Sequence, residues 1–511
     1  MRRGTIAGLA LLVAFAAMFA TSAAARTTAG SNGYLIGSAK PLTASQVEQL
    51  RAAGASVKHV YKNFGGAAAL MNDRAATAVS SLSFVTSVDR DTVRQLDATG
   101  VATASALPGT PYWLDLIDAE KNSSYDGSGV WVAVLDSGFY PNWRDYLDES
   151  KILTQYAVAF NAANANQNPN QWDVGSDPHG MAVSGTIIGH TFVDDTNEGG
   201  WGQGYATGAA GTYDVPGVAP GAKIIPVKVC EPIGCFGSAI NAGVDYITSL
   251  KKANPSQPIV INESLGGAAL DATEKAALDA AIKAGVVVVA SAGNSGNAGM
   301  GFPGAYEPVL SVGAGGWRDQ WNEYPDKTWW LDDVPENGVG EVFVADFSSR
   351  QLTGQYLDVV STGRFLLLPY PCAQLYKDGQ VSAATNVRTC ASKATPDNAS
   401  AAPFQYLFLS GTSFSAPTIA GVVALILDKN GNLTNADATF GTLNNPASWG
   451  PGSLEVLLEN SATDIPPDSV TTTFRTGVPD TECWEMGTTG CTLEATGHGW
   501  VFVDDALAAV P

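Results

Sequence analysis

Ser413 has the surroundings that a catalytic nucleophile requires. It follows Gly411 and Thr412 and opens a run of small and apolar residues that predicts a helix. The first turn of a helix has backbone N–H groups without intrahelical partners, and these favour negative charge. A nucleophile that forms an oxyanion in its tetrahedral intermediate needs such groups. Taken alone, however, the segment is more typical of an ordinary turn and helix cap.

Two upstream segments supply the partners that such a serine needs. Asp136 ends an apolar run, which predicts a buried parallel strand with a carboxylate at its carboxyl end. His179, one of four histidines, begins another run of small and apolar residues that predicts a helix. The chain order acid, histidine, serine is one of the orders in which catalytic triads occur. The three residues together therefore favour nucleophilic catalysis.

Two further strand ends are suited to binding a substrate. A valine-rich run predicts a buried strand that ends just before Asn294, whose amide can donate to an oxyanion. Another predicted strand is followed by Ser264, Leu265 and Gly266, and its small residues leave the backbone open to pair with an extended peptide.

These five motifs, in this order, resemble those of the subtilases, the subtilisin-like serine peptidases. The resemblance runs from about Tyr112 to the C-terminus and includes the closing segment Gly497–Val510. It implies an α/β fold with a three-layer, parallel-sheet catalytic domain, preceded by a small α+β open-sandwich propeptide. It also implies a secreted serine endopeptidase that matures when the propeptide is removed.

The resemblance implies a role for each motif. Ser413 would attack the peptide carbonyl, His179 would accept and return the proton, and Asp136 would orient the imidazole. Asn294 and the backbone N–H of Ser413 would form the oxyanion hole. The substrate-binding residues would be Ser264, Leu265 and Gly266, which pair with the substrate backbone, and Ala290, Ser291 and Ala292, which floor the primary specificity pocket. The small residues of this floor favour cleavage after large apolar side chains.

Two of the motifs depart from the family pattern. Met181 and Ala182 stand where the family usually has threonine and histidine after the His-Gly pair. Glu263 occupies a position that is commonly apolar, one residue before the predicted substrate strand. A buried carboxylate there needs a partner or a raised pKa. If Glu263 lined the pocket instead, it would favour basic side chains.

The N-terminal hundred residues predict two segments ahead of the catalytic domain. Residues 1–25 have a basic start, an apolar middle and a small-residue end, which is typical of a signal peptide. The apolar middle is shorter than the roughly 18 residues of a membrane anchor, which favours the signal peptide. Residues 26–105 alternate strands and helices in the order βαββαβ, which predicts an inhibitory propeptide; a domain that stays attached is the alternative. Residues 106–511 are the predicted catalytic domain, and the mature N-terminus is expected between Asp97 and Pro108.

The predicted elements of the propeptide are strands at Tyr34–Gly37, Val57–Tyr61, Ala67–Met71 and Phe84–Val88, and helices at Ser45–Ala53 and Arg74–Ser80.

Charge separates the two parts of the chain. The 511 residues carry a net charge of −21, yet residues 1–97 carry +5 and the remainder −26. A basic propeptide is electrostatically complementary to an acidic enzyme. The acidic surface argues against nucleic-acid binding, which needs basic patches. We therefore expect a secreted monomer without a membrane anchor, whose partners are protein or peptide substrates and its own propeptide.

The cysteines and acids bear on crosslinks and ions. Six cysteines after a signal peptide predict disulfides. The simplest of the possible connectivities pairs neighbours in sequence: Cys230–Cys235, Cys372–Cys390 and Cys483–Cys491. No cofactor is required for the chemistry, and no ligand spacing indicates a zinc site. The acidic run Asp194–Glu198 makes a structural calcium ion possible, although such loops are mostly just solvated.

Alternatives to a general endopeptidase remain open. A catalytically silent, peptide-binding subtilase module would be expected to lack a triad residue, and none is missing here. A narrow-specificity processing peptidase would fit Glu263 and four apparent insertions, at residues 161–177, 198–217, 317–341 and 370–404. The third insertion is rich in tryptophan, which fits either a substrate-facing lid or a loop with its own small core.

Overall fold

The computed structural model describes residues 33–96, 99–100, 110–160, 167–174, 177–194, 211–231, 234–317, 334, 342–370, 406–435, 453–465 and 493–511. The predicted signal peptide, most of the predicted calcium run and the four cysteines at 372, 390, 483 and 491 lie outside these residues. Most of the predicted insertions at residues 198–217, 317–341 and 370–404 lies outside them as well, as do residues 161–166 and 175–176 of the first insertion.

Residues 33–90 form a four-stranded antiparallel sheet with two helices and a core of its own. The strand order is β2-β3-β1-β4. Each helix begins at a polar cap: the Thr43 side chain accepts from the Gln46 N–H, and the Asn72 side chain accepts from the Ala75 N–H. The elements are β1 (Gly33–Ser38), α1 (Ala44–Ala52), β2 (Ser56–Val60), β3 (Gly66–Leu70), α2 (Asp73–Ser80) and β4 (Val85–Arg90). The predicted elements are all present, within two residues of their expected bounds.

Two short strands follow this small domain, and both pair with the larger domain. They are β5 (Val93–Leu96) and β6 (Thr99–Gly100).

The larger domain alternates strands and helices along the chain. Its elements up to the central helices are α3 (Tyr112–Asp115), β7 (Trp131–Asp136), β8 (Val158–Phe160), β9 (Gln167–Asn168), α4 (His179–Ile188), β10 (His190–Asp194), β11 (Gly211–Val215), β12 (Lys223–Lys228), β13 (Cys230–Glu231), β14 (Gly234–Phe236) and α5 (Gly237–Ala253). The remaining elements are β15 (Ile259–Glu263), β16 (Leu265–Gly266), α6 (Ala272–Lys283), β17 (Val286–Ser291), β18 (Leu310–Trp317), β19 (Val342–Val344), β20 (Val359–Thr362), β21 (Leu366–Pro369), β22 (Tyr406–Ser410), α7 (Thr412–Lys429), α8 (Leu454–Ser461), α9 (Leu493–Thr496) and α10 (Val503–Ala509).

A mostly parallel sheet forms the middle of three layers. Its order is β19-β18-β17-β15-β7-β12-β8-β9, with β20 also paired to β18. Alternate residues of β7 bury into opposite cores: Val132 and Val134 pack on the side of α4 and α7, while Ala133 and Leu135 pack on the side of α5 and α6. Burial on both faces explains why the strands read as continuous apolar runs. The predicted α/β, three-layer architecture is confirmed.

Candidate active site

Asp136 and His179 form a buried hydrogen-bonded pair. Asp136 is the last residue of β7 and His179 the first of α4, and both side chains are at most 1% exposed. The Nδ1 atom of His179 lies 2.9 Å from each carboxylate oxygen of Asp136. The Ser137 N–H also donates to Asp136. The two residues meet because Gly138 turns the chain at a φ of 76° and Gly180 has no side chain, which would collide with the Gly138 carbonyl.

A second acid, Asp177, supports the histidine from the other side. Its carboxylate accepts hydrogen bonds from the His179 N–H at 2.9 Å and the Tyr370 hydroxyl at 3.0 Å. Burial raises the pKa of Asp177, while the His179 charge and the hydrogen bonds oppose the shift. The sequence analysis missed this residue, although an acid just before a helix start is a recognised signal. The departure at Met181 is also explained, since its sulfur accepts from the Tyr140 N–H at 3.4 Å.

Ser413 is the second residue of α7 and is fully buried. Its hydroxyl donates to the Ser264 carbonyl at 3.2 Å, and the Ser264 hydroxyl donates in return to the Ser413 carbonyl at 2.8 Å. The Ser413 carbonyl is open to this contact because Pro417, four residues on, has no N–H to donate. The neighbouring Phe414 ring packs against His179, with ring centroids 5.6 Å apart. The structure thus brings the predicted acid, histidine and serine into one region.

Asn294 lies beside the start of α7. Its amide oxygen accepts from the Thr412 N–H at 3.0 Å and from the Thr412 hydroxyl at 2.9 Å. Because the oxygen is engaged, the amide nitrogen is the end that can donate next to Ser413. Gly293 adopts a φ of 101° and its N–H donates to the Thr412 hydroxyl at 3.1 Å, which fixes this turn. Thr412 is a second residue that the sequence analysis did not single out.

The predicted substrate strand is paired with the chain's own segment. Leu265 pairs with Leu96 and Gly266 with Gln95, so β5 runs antiparallel to β16. On its other side, β5 pairs with β14, in which Cys235 lies opposite Arg94. The order of this small sheet is β13-β14-β5-β16. The segment is therefore held between two edges of the larger domain, of which the sequence analysis predicted only one.

The same segment pairs again on the far side of Ser413. Thr99 lies opposite Ser410 and Gly100 opposite Leu409, at the end of β22. The strand β22 leads directly into the turn that carries Ser413. The chain thus pairs on either side of the serine, through residues 93–96 and 99–100.

One predicted disulfide is present in the part of the chain that the structure describes. Cys230 and Cys235 are bonded and join β13 to β14. The crosslink secures the edge on which β5 pairs. The other two predicted pairings lie outside the described residues.

The predicted pocket floor and Glu263 lie on neighbouring strands. Ala290 pairs with Glu263, and Ala290, Ser291 and Ala292 are fully buried. The Glu263 carboxylate is also fully buried, and its pKa is raised to about 8. Burial is the largest cause of this rise, Glu274 on α6 adds to it, and Arg94 opposes it. The expected raised pKa is present, whereas none of the described residues donates a hydrogen bond to the Glu263 carboxylate.

Three carboxylates outside this region lie close together. One oxygen each of Asp358, Glu455 and Glu459 falls within 4.8 Å of the others, and all three residues are buried. Such oxygens suit a hard cation such as calcium. They can also share protons, since burial raises the pKa of Asp358 to about 6 and that of Glu459 to about 8.

Comparisons with known proteins agree with this geometry. The profile of the subtilase family matches residues 127–478, more than half of the chain. Subtilisin E of Bacillus subtilis (strain 168) is 26% identical over 88% of this chain and 95% of its own length. The serine protease AprX of the same strain is 29% identical over 60% of this chain.

A solved structure shares the fold. Fervidolysin from Fervidobacterium pennivorans, described as a keratinolytic enzyme related to subtilisin, superposes with a TM-score of 0.57 at 21% identity. The match covers 94% of this chain and 61% of fervidolysin, and the match to AprX covers 59% of AprX. This chain therefore spans about three fifths of those two proteins and nearly all of subtilisin E.

Proposed function

Since the chain belongs to the subtilase family of serine endopeptidases, we propose that it hydrolyses peptide bonds with Ser413 as the nucleophile. In this mechanism the Ser413 hydroxyl turns from the Ser264 carbonyl toward His179, which accepts its proton. Asp136 holds the imidazole by Nδ1 and stabilises its charged form. The Asn294 amide and the Ser413 N–H then stabilise the oxyanion, and His179 returns the proton to the leaving amine. Water hydrolyses the acyl-enzyme by the same steps in reverse order.

We further propose that the small domain is an inhibitory propeptide and that Ser413 removes it. The observation that carries this proposal is the pairing of residues 93–96 with β14 and β16 and of residues 99–100 with β22, the strand that leads into the turn of Ser413. An extended peptide substrate would pair with these same edges. The bond to be cut would then lie between Leu96 and Thr99. That position is upstream of the boundary expected after residue 105 and at the start of the expected range 97–108.

Contacts of the small domain support an intramolecular inhibitor. Asp91 accepts from the Ser238 N–H at 2.9 Å and from its hydroxyl, and so caps the start of α5. Asp245 on α5 accepts from the Lys62 and Asn63 N–H groups at 2.8–3.2 Å. These contacts hold the small domain against α5, while β5 occupies the cleft between β14 and β16. The subtilase profile begins only at residue 127, after the small domain.

The test is expression of the full precursor beside Ser413→Ala. The wild type should release a fragment that ends at residue 96, 97 or 98, as mass spectrometry of both products would show. The Ser413→Ala precursor should stay intact. Equal processing of the two would contradict autocatalysis, and an intact wild type would favour the alternative of an attached N-terminal domain.

Secretion is part of the proposal and rests on the predicted signal peptide; a monomeric state is proposed with it. None of the helices in the described ranges is long and apolar enough to cross a membrane. Cleavage after large apolar residues also remains a proposal, as does a role in processing one partner protein. A library of peptides varied at the residue before the cut would separate broad from narrow specificity.

A structural calcium ion is proposed at the cluster of Asp358, Glu455 and Glu459 or at the predicted run 194–198. If an ion stabilises the fold, a chelator should lower the unfolding temperature and added calcium should restore it. An unchanged unfolding temperature would leave shared protons as the explanation of the cluster.

A further inference from the structure

Arg94 is a fully buried cation in the segment that occupies the cleft. Its side chain is 1% exposed and forms an ion pair with Glu274, which is 2% exposed. The guanidinium also donates to the Ala269 carbonyl at 2.8 Å. A charge removed from water in this way is tolerated only where partners are built for it. The surroundings of Arg94 are therefore a binding pocket for its side chain.

The pocket contains more carboxylate oxygens than one arginine engages. Both carboxylate oxygens of Glu263 are buried and accept no hydrogen bond from any described residue, and one oxygen of Glu274 is in the same condition. Asp271 lies nearby, but it accepts from the N–H groups of Thr273 and Glu274 at the start of α6 and is thereby engaged. Glu274 is thus the acid that pairs directly with Arg94, and Glu263 is a second acid, without a hydrogen-bond donor, whose pKa the charge of Arg94 lowers.

The pocket walls and its occupant belong to different parts of the chain. Glu263 ends β15 and Glu274 lies in the first turn of α6, both within the region that matches the subtilase family. Arg94 lies in the segment that the proposed maturation would remove. Gly267 completes the wall, because a side chain there would collide with the guanidinium. After maturation the two acids would lose their cation and be available to a substrate.

We propose that this pocket, formed by Glu263, Glu274 and the Ala269 carbonyl, selects substrates with arginine at the position that Arg94 occupies, on the amino-terminal side of the cut. This inference rests on the proposed function and names its substrate class: proteins with an arginine two residues before the residue that takes the place of Leu96. One guanidinium nitrogen of Arg94 donates both to the Glu274 carboxylate and to the Ala269 carbonyl. Arginine fits better than lysine because a guanidinium is more weakly hydrated than an ammonium and is therefore easier to bury. An apolar side chain would leave two buried acids without a cation, so it should be disfavoured.

The test uses mature enzyme from the full chain and quenched peptides of residues 89–102. The three peptides carry arginine, lysine or leucine at position 94. We expect kcat/KM to be about 100-fold higher for arginine than for leucine, with lysine between them. Glu274→Gln should reduce the arginine preference to less than about tenfold, because it removes the charge that pairs with the guanidinium. Glu149→Gln, which changes an exposed acid far from the cleft, is the matched control and should keep the preference.

A binding measurement separates this inference from the proposed function. Labelled peptides of residues 89–96 mimic the segment before the cut, and their dissociation constants report the pocket without any chemistry. Tighter binding of the arginine peptide than of the leucine peptide supports the pocket, even if neither long peptide is cleaved. That combination would contradict the proposed function alone. Equal binding and equal cleavage of the arginine and leucine peptides would overturn the pocket and leave the peptidase proposal standing.

Discussion

Two buried acids end neighbouring strands of the same sheet and have opposite surroundings. Asp136 ends β7 and accepts hydrogen bonds from the His179 ring and the Ser137 N–H, all within the larger domain. Glu263 ends β15 and accepts none within the described part of the chain. The cation that lowers the pKa of Glu263 is Arg94, which belongs to the segment in the cleft. Asp136 therefore has its hydrogen-bond donors within the larger domain, whereas Glu263 depends on a cation from the segment in the cleft.

This difference separates preorganised chemistry from recognition. A catalytic acid must hold its histidine before any substrate arrives, so its donors are part of the fold. An acid that recognises a cation gains from having no other donor, because its burial then disfavours every uncharged occupant. Burial of Glu263 without a hydrogen-bond donor disfavours its ionised form, and its pKa is accordingly raised to about 8.

The largest effect on activity is expected for substitution of Asp136. Asp136→Asn should lower kcat about 10⁴-fold, because the amide favours the wrong tautomer of His179. Binding of the labelled 89–96 peptide should be unchanged, since the pocket does not involve this residue. Asp145→Asn, at an exposed acid, is the control and should retain full activity. A loss of less than tenfold in kcat for Asp136→Asn would remove this residue from the catalytic mechanism.

The oxyanion donor is expected to contribute less. Asn294→Ala should lower kcat by about 10²–10³-fold with little change in KM, because the amide donates only to the developing oxyanion. Thr412→Val removes the hydroxyl that orients the amide and should fall between the variant and the wild type. If Asn294→Ala raised KM and left kcat unchanged, the residue would bind substrate rather than stabilise the transition state.

Replacing Arg94 should destabilise the precursor, because Glu263 and Glu274 would lose their cation. In the uncut Ser413→Ala background, Arg94→Leu should lower the free energy of unfolding by about 3 kcal/mol, because it leaves buried acids without a cation. Arg94→Leu combined with Glu274→Leu should recover part of that loss, since the pair is then replaced by apolar groups. Urea unfolding of these three proteins and of the Glu274→Leu single variant, all in the Ser413→Ala background, forms a double-mutant cycle. Additive effects would show that the ion pair contributes nothing.

The sequence predicts the surroundings of Asp136 better than those of Glu263. Asp136, His179, Ser413 and Asn294 lie at strand ends and helix starts that local pattern identifies, and the structure brings them to one edge of the sheet. The small domain was predicted nearly residue by residue because its helices carry ordinary caps and its strands have clear bounds.

The pocket was predicted only in part, for a physical reason. Glu274 follows an aspartate cap and stands in the first turn of a helix, where acids are common on exposed surfaces. Arg94 stands in a short polar segment with no periodic pattern. Their burial depends on the placement of β5 between β14 and β16, a pairing between residues far apart in sequence. Glu263 alone gave a signal, because an acid in an apolar run must have a partner or a raised pKa.

The smallest expected effect is a pH dependence of precursor stability caused by Glu263. Its pKa is raised from 4.5 to about 8 in the folded protein. The folded state therefore keeps a proton that the unfolded state releases, and the stability present below pH 4.5 is lost as the pH rises toward about 8. The slope contributed by this group is at most about 1.4 kcal/mol per pH unit.

Urea unfolding of the Ser413→Ala precursor between pH 5 and pH 8 would measure that slope. Other buried acids, such as Glu274, contribute slopes of the same sign, so the informative quantity is the difference from a precursor that also carries Glu263→Gln. This variant has no proton to lose, and its stability should fall less steeply over the same range. Identical slopes would mean that Arg94 already holds Glu263 ionised, and the two acids would then bind their occupant as a full double negative charge. In that case the preference for arginine should persist unchanged at pH 9. If Glu263 instead keeps its proton at neutral pH, the preference for arginine should strengthen as the pH rises through about 8.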